Sequence, residues 1–377
     1  AFASSGELAA VASGKPNGVL RVFECASRGG KHALAEQAVG EAFLDVAFLA
    51  GDNQLLALTA KRAVVWNHRA QVGTISTHQP GRVDAIAFAG DGSTLLSAGG
   101  DERLRSWRRQ DGRKLWETDK LGNPVEQIAV GGSRAAVGLW GGDVRLHAIE
   151  DGRATGRIDS GAARLSAVAF VGEDRLLTAG AARESEAGIL SVHDLRATQS
   201  LHTRRLGAAV LAASVSKDEA CVATIAEGED IVQLWSLPSL APLAAVKTAG
   251  LRLRSVAFDP SGDRLLVGGS PVAAPAETAA RVYDRGGELL RELPIDESVS
   301  FATFSPDGRF ILTCTARQAQ LWRAADGEQH LHVDLHRGRM LLNGAFGPDS
   351  AWAATSDRDG SVWIWPTDPV QLAESLR

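Results

Sequence analysis

The stretch Gly347-Pro348-Asp349-Ser350, followed by Thr355-Ser356-Asp357-Arg358-Asp359-Gly360-Ser361-Val362-Trp363-Ile364-Trp365, decides the reading of this chain. It reads as a turn, the end of an apolar strand, a second turn, and a strand that ends in an aromatic residue. That last strand recurs as Leu20-Arg21-Val22-Phe23, Ala63-Val64-Val65-Trp66, Leu104-Arg105-Ser106-Trp107, Val144-Arg145-Leu146-His147, Leu190-Ser191-Val192-His193, Val232-Gln233-Leu234-Trp235, Ala280-Arg281-Val282-Tyr283 and Gln320-Leu321-Trp322. Successive end residues are 39 to 48 positions apart. A period of about 40–45 residues with four strands per unit marks the blades of a propeller. One such unit cannot bury both faces of its sheet, whereas a stacked ring of units can.

Working outward, each copy is preceded by a further apolar strand and a tight turn. The turns read Ser305-Pro306-Asp307-Gly308, Asp259-Pro260-Ser261-Gly262, Ala89-Gly90-Asp91-Gly92 and Ala50-Gly51-Asp52-Asn53. Pro presets φ at the first central position, and Asp, Asn and Gly accept the conformations that follow. Flanking runs such as Val256-Ala257-Phe258 and Arg264-Leu265-Leu266-Val267 are too short for helices and lack a 3.6-residue period. They read as strands a and b, buried between neighbouring blades. The aromatic-ended strand is c, and a more polar strand d follows it.

These motifs resemble the WD-repeat β-propeller family over essentially the whole chain. The fold class implied is all-β, a propeller of four-stranded antiparallel blades with about nine WD-like repeats. The departures matter as well. The Gly-His pair that usually precedes strand a is missing almost everywhere. The Asp after the terminal Trp is replaced in Trp66-Asn67, Trp107-Arg108, Trp235-Ser236 and Trp322-Arg323. The family's buried Asp–His–Ser/Thr–Trp network is therefore expected to be incomplete. Packing then rests on Leu, Val, Ala and Phe burial, at roughly 25 cal/mol per Å².

Hydrophobic residues make up 45% and charged residues 23% of the 377, enough for a large core in an ordinary globular protein. Neither a signal peptide nor a long apolar span is found, so a cytoplasmic protein without membrane insertion is expected. The net charge of −5 argues against wide nucleic-acid binding. Cys25, Cys221 and Cys314 are few and scattered and read as buried thiols. No nucleophile elbow, phosphate loop or zinc-protease signature occurs. His330, His332 and His336 form the one His cluster and read as an outer strand rather than a metal site. Asp91, Asp101, Asp143, Asp230, Asp307, Asp349 and Asp359 sit at repeat-equivalent turns, where capping of backbone N–H groups is expected. No catalytic residue, metal ligand or cofactor is assigned.

Residues 1–366 read as the propeller and 367–377 as a tail or helix start, with Asp368 as N-cap and Pro369 at the first position. Ala1-Phe2-Ala3-Ser4-Ser5-Gly6 matches the end of a strand a and its turn, so a longer polypeptide is expected. The composition is similar to propellers at the C-termini of large bacterial proteins, which implies an upstream signalling domain as one partner. A single ring of nine blades is the leading geometry. The alternative is a seven-bladed ring from about Gln79, preceded by two blades of another ring. The outer strand of the last blade must come from upstream sequence, from Lys31–Val39, or from nowhere.

With chemistry absent, a surface remains. In the family, the d–a and b–c connections lie on one face around the central channel. Two b–c connections are long, at 180–188 and 270–279, and insertions on one face suggest a binding face. Trp140 falls at a b–c turn, off the repeat register, where it either meets a partner or packs on a neighbouring blade to cover the channel mouth. Arg103 and Arg358 flank equivalent turns, and Arg183 and Glu184 lie in the first long connection. Trp and Arg are common hot-spot residues. The expected function is a non-catalytic protein–protein interaction scaffold that binds a protein or peptide through this face. The alternatives are a structural subunit of a large complex, or an enzyme with carboxylates at the channel mouth.

Overall fold

The computed structural model describes residues 81–367 apart from 111, 184, 186, 249, 273–277, 296 and 334–339, together with the backbone of the earlier strands named below. Cys25, His336, the opening segment 1–6 and the helix start at 368–377 lie outside the described residues, and so do the side chains of His332 and Val333. The chain divides into two compact units, Ala1–Gly73 with Asp368–Arg377, and Thr74–Thr367. In the first unit, Leu8–Ala12, Val19–Glu24 and Ala35–Ala38 form one antiparallel three-stranded sheet. Phe43–Phe48, Gln54–Thr59 and Ala63–Asn67 form another.

The second unit is a seven-bladed propeller of four-stranded antiparallel sheets. Blade I comprises strands a to d at Val83–Phe88, Thr94–Gly99, Leu104–Arg108 and Lys114–Glu117. Blade II comprises Val125–Gly131, Arg134–Leu139, Asp143–Ala148 and Ala154–Asp159. Blade III comprises Ala162–Val171, Arg175–Ala182, Gly188–Asp194 and Gln199–Leu206. Blade IV comprises Val210–Val215, Cys221–Ala226, Ile231–Ser236 and Pro242–Lys247. Blade V comprises Leu251–Phe258, Arg264–Pro271, Ala280–Asp284 and Leu289–Leu293. Blade VI comprises Val299–Phe304, Phe310–Thr315, Ala319–Arg323 and Gln329–Val333. Blade VII takes a, b and c from Leu341–Phe346, Trp352–Asp357 and Val362–Pro366, and its outer strand from Thr74–Ile75.

That borrowed strand corrects the expected ring of nine. Ile75 pairs with Val362 and Thr74 with Trp363, so the ring shuts after seven blades. Lys31–Val39 does not close it, because Ala35–Ala38 pairs with Val19–Val22 in the first unit. Closure is also sealed at the channel. Strand a of each blade packs on strand a of the next, from I round to VII and back to I. Across the last seam, Asn343 Nδ2 donates to Asp84 O at 3.1 Å and Ser356 Oγ to Val83 O at 3.1 Å.

Burial follows the repeat. One apolar cluster joins Val83, Ile86, Phe88, Leu95 and Trp107 of blade I to Ala354, Val362 and Ile364 of blade VII. Similar clusters straddle the seams I–II, II–III, III–IV, IV–V and V–VI. A blade therefore buries its faces only against its neighbours, as the repeat pattern requires.

The end residue of strand c keeps half of the expected polar network. Trp107 Nε1 donates to Ser97 Oγ at 2.8 Å, Trp235 to Thr224 Oγ1 at 2.8 Å and Trp322 to Thr313 Oγ1 at 2.9 Å. In blade III, His193 Nε2 takes the same place beside Thr178 Oγ1 at 2.9 Å. In blade II, Val137 occupies the position of that hydroxyl, and buried His147 Nε2 has no hydrogen-bond partner. Its Nδ1 bonds Gly152 O at 2.8 Å. Burial holds both imidazoles below the usual histidine range, His193 at about 4.

Turn carboxylates cap as expected at Asp91, Asp307 and Asp349, which accept the N–H of Ser93, Arg309 and Ala351, each at 3.0 Å. In blade VII the capping side chain is Asp357, fully buried, which accepts from Asp359 N and Ser361 N. Asp143 instead pairs with Arg157 at 2.8 Å and Arg145 at 3.3 Å.

Candidate functional site

The d–a and b–c connections form one end of the propeller, the upper face, and the a–b and c–d turns form the lower face. At the upper end of strand a, every blade carries a β-bulge. The register slips past Asp84, Glu126, Ser166, Leu211, Arg254, Ser300 and Leu342 in blades I to VII. Bulges re-aim side chains, and these form the rim of the channel. In blades I, III and V the bulge lets the carbonyl of Arg82, Arg164 or Arg252 approach a glycine of strand b. A Cβ at Gly99, Gly180 or Gly269 would lie 2.1, 1.8 or 2.3 Å from that oxygen. Glycine on strand b thus permits the backbone of strand a to approach there.

Trp140 lies on the b–c turn of blade II with 46% of its surface exposed. Its backbone N–H donates to Pro124 O at 2.8 Å, and Gly141 N–H donates to Ala163 O of blade III at 3.0 Å. Arg164 stacks over the indole, its guanidinium carbon 5.1 Å from the ring centroid. The same guanidinium donates through Nε to Glu126 Oε1 at 3.2 Å. Glu126, 9% exposed, also accepts Leu165 N–H at 2.8 Å, tying blade II to blade III. Arg183 reaches back across the seam to Gly141 O at 2.9 Å and to Asp159 Oδ1 at 2.8 Å. The hydrogen bond from Arg183 holds the Asp159 carboxyl below its usual range. The indole is therefore both packed and open: one face lies on a neighbouring blade's arginine, and nearly half its area meets solvent.

The other residues singled out in the sequence fall on the same end but do different things. Arg103, on the b–c turn of blade I, donates Nη1 to Thr118 O at 2.6 Å and lies 3.8 Å from Glu117, so its head turns along its own blade. Arg358, on the b–c turn of blade VII, is exposed, and its side chain has no partner among the described residues. Glu184 lies outside the described residues. Turns 100–103, 140–142 and 358–361 and the connection carrying Arg183 belong to four consecutive blades, VII, I, II and III.

Sequence reading missed Arg164 and Glu126, which hold Trp140, and the exposed pair Arg252 and Arg254 on the rim of blade V. The signal was an arginine near the start of strand a, repeated in Arg82-Val83, Arg164-Leu165 and Arg252-Leu253 with a glycine late in strand b.

The lower face is chemically different. Most of its arginines are spent within the fold. Arg264 pairs with Asp259 at 3.0 Å, Arg309 with Asp307 at 2.5 Å and Arg196 with Asp174 at 2.5 Å. Arg134 lies over Phe170, Arg285 over Phe258 and Arg109 over Trp352. Two open depressions of about 420 and 240 Å³ share Val215 and Lys217 at the lower channel mouth. Among the described residues there is no group of three or more His, Cys, Asp or Glu side chains placed to hold a metal ion. His330 stacks on Phe310, ring centroids 4.8 Å apart. Cys221 and Cys314 are buried free thiols, and burial pushes Cys314 up to about 12. No helix in the described residues is long and apolar enough to cross a membrane.

The family model for the WD domain, G-beta repeat, matches residues 69–108, 287–323 and 336–366. The first match begins before Thr74–Ile75 and ends with strand c of blade I. The sequence repeat thus runs d–a–b–c, which is why the first copy's strand d closes the last blade. Comparison with curated proteins finds no match.

Proposed function

We propose that this chain, whose WD40 repeats close into a seven-bladed propeller, is a non-catalytic interaction scaffold that binds a protein or peptide through its upper face. WD40 propellers generally mediate protein–protein interaction. The observation that carries the reading is Trp140, 46% exposed on the rim and clamped from below by Arg164. A fixed aromatic beside guanidinium groups offers contact area and directed donors at low entropic cost. Met340 and Leu211, 46% and 37% exposed, add apolar contacts on the same end. The assay is affinity capture from the native host with the full chain, wild type against Trp140→Ala and Arg183→Ala. Loss of the same captured protein in both variants is expected. Capture that ignores both variants overturns the reading.

A second reading, a structural subunit packed into a larger complex, is favoured by the outer strands. Leu201, Leu243, Leu289 and Leu290 on strands d of blades III, IV and V are 41–55% exposed. Capture lost on Leu243→Glu and kept on Trp140→Ala would select it.

A further inference from the structure

We infer that the sector of the upper rim formed by blades V and VI is an anion site that takes a short acidic stretch of a peptide. The inference rests on the upper-face reading and names what the partner must carry there.

Arg252 and Arg254 lie two residues apart on strand a of blade V. Both are exposed, between buried Leu251, Leu253 and Ser255. The burial pattern turns both side chains to solvent at the upper end of strand a, with Arg254 in the bulge. Arg252 has no hydrogen-bond or ion-pair partner among the described residues. Arg254 donates Nε to Ser270 Oγ at 3.3 Å, and no carboxylate pairs with it. Ser270 Oγ lies 2.5 Å from Ser298 Oγ of the next blade. Either hydroxyl can donate in that pair, since Ser270 has a second lone pair beside the one that accepts from Arg254. Arg317, on the b–c turn of blade VI, is exposed, and its side chain is likewise unpaired among the described residues.

The sector thus presents two guanidinium forks without a carboxylate partner among the described residues, with a third guanidinium on the b–c turn of the adjacent blade. Guanidinium forks match carboxylates bidentately. On the lower face most arginines are instead taken up by Asp259, Asp307, Asp174 and aromatic rings, and Arg153 stands alone on its c–d turn among the described residues. The boundary of the sector sets the size of the ligand. On blade IV, the neighbouring turn presents Glu227, Glu229 and Asp230, all exposed, and Glu297 lies on the approach to blade VI. A basic sector bounded by carboxylates accepts a short anionic segment and repels an extended polyanion. That excludes a nucleic-acid backbone, which needs many neutralised phosphates in a row.

The probe is a fluorescein-labelled octaglutamate peptide, followed by anisotropy on the full chain at low ionic strength, where charge contacts are least screened. Wild-type protein should bind it, and added salt should weaken binding. Arg252→Glu with Arg254→Glu should weaken it by about tenfold or more. Lys217→Glu, on the lower face, should leave it unchanged. Circular dichroism checks the fold. If the double charge reversal does not fold, Arg252→Gln with Arg254→Gln should still weaken binding several-fold. Unchanged affinity in the arginine variants overturns the proposal, and so does an equal loss in Lys217→Glu. A single-stranded oligonucleotide that binds more tightly and is lost in the same variants overturns the peptide assignment. If octaglutamate does not bind while partner capture still depends on Trp140, the anion site falls and the upper-face reading stands. If capture ignores Trp140 while octaglutamate binding follows the two arginines, the site stands and the Trp140 reading falls.

Discussion

Replacing Trp235 by Ala tests whether the aromatic ends of strand c hold neighbouring blades together. Trp235 is 6% exposed and packs with Ala167, Val171, Leu177, Leu190 and Val192 of blade III and with Val210, Val222 and Leu240 of its own blade. A tryptophan buries about 150–250 Å². At about 25 cal/mol per Å² this is roughly 4–6 kcal/mol, of which the alanine retains a small part. The indole N–H bond to Thr224 adds about 1 kcal/mol, and the stacking of Arg204, 5.1 Å from the ring centroid, adds about 0.5–1 kcal/mol. These sum to about 5–8 kcal/mol as an upper bound, because the unfolded chain already buries part of that area; the expected cost of Trp235→Ala is about 4–5 kcal/mol, at the upper end for an aromatic lost from a core. Trp235→Phe keeps most of the area and loses the N–H, so about 1–2 kcal/mol is expected. The assay is urea unfolding followed by circular dichroism, with the slope checked against wild type so that midpoints can be compared. An Ala variant within about 1 kcal/mol of wild type, or a Phe variant as costly as Ala, would refute the reasoning.

Four further outcomes are expected. Thr74→Pro with Ile75→Pro removes two N–H groups from the closing strand and should lower the urea midpoint, with faster amide exchange confined first to Val362–Trp365; unchanged exchange there would disprove the closure. Gly180→Ala puts a Cβ 1.8 Å from Arg164 O, so about 1–3 kcal/mol of stability should be lost, and a neutral result would show that the bulge is not tight. The folded-state pKa of His193, at about 4, lies below the ordinary value of 6.5, so only the unfolded chain takes up the proton between those limits. Stability is full above pH 6.5 and falls toward pH 4 by up to about 1.4 kcal/mol per unit, and His193→Trp should remove this share of the slope in pH-dependent denaturation. Trp140→Ala should cost less stability than Trp235→Ala in the same urea assay, because 46% of the Trp140 side chain already faces water.

The strands of each blade were legible because each repeats a local pattern. Val256-Ala257-Phe258, the Asp-Pro-Ser-Gly turn and Arg264-Leu265-Leu266-Val267 announce strands a and b wherever they occur. The choice between a ring of nine and a ring of seven from about Gln79 was not legible for the same reason. The motif ending at Trp66 looks like the one ending at Trp365, yet Ala63–Asn67 belongs to a three-stranded sheet of the first unit. What separates them is a two-residue strand, Thr74–Ile75, too short to carry any periodic signal and paired with residues at the far end of the chain. Trp140 stood out because it breaks the repeat register. Arg164, Arg252 and Arg254 did not, because arginines are scattered through all blades. Only their exposure and their place beside the bulge of strand a show which ones reach the rim.

Hydrogen exchange on the full chain, free and bound to the protein it captures, tests the upper-face claim most directly. Slowed exchange is expected at 139–142, 163–165 and 181–183, where Trp140, Arg164 and Arg183 lie, and no change at the a–b turns 131–134, 216–220 and 260–263. Protection of those a–b turns with an unchanged upper rim would contradict it and move the binding surface to the opposite end of the propeller.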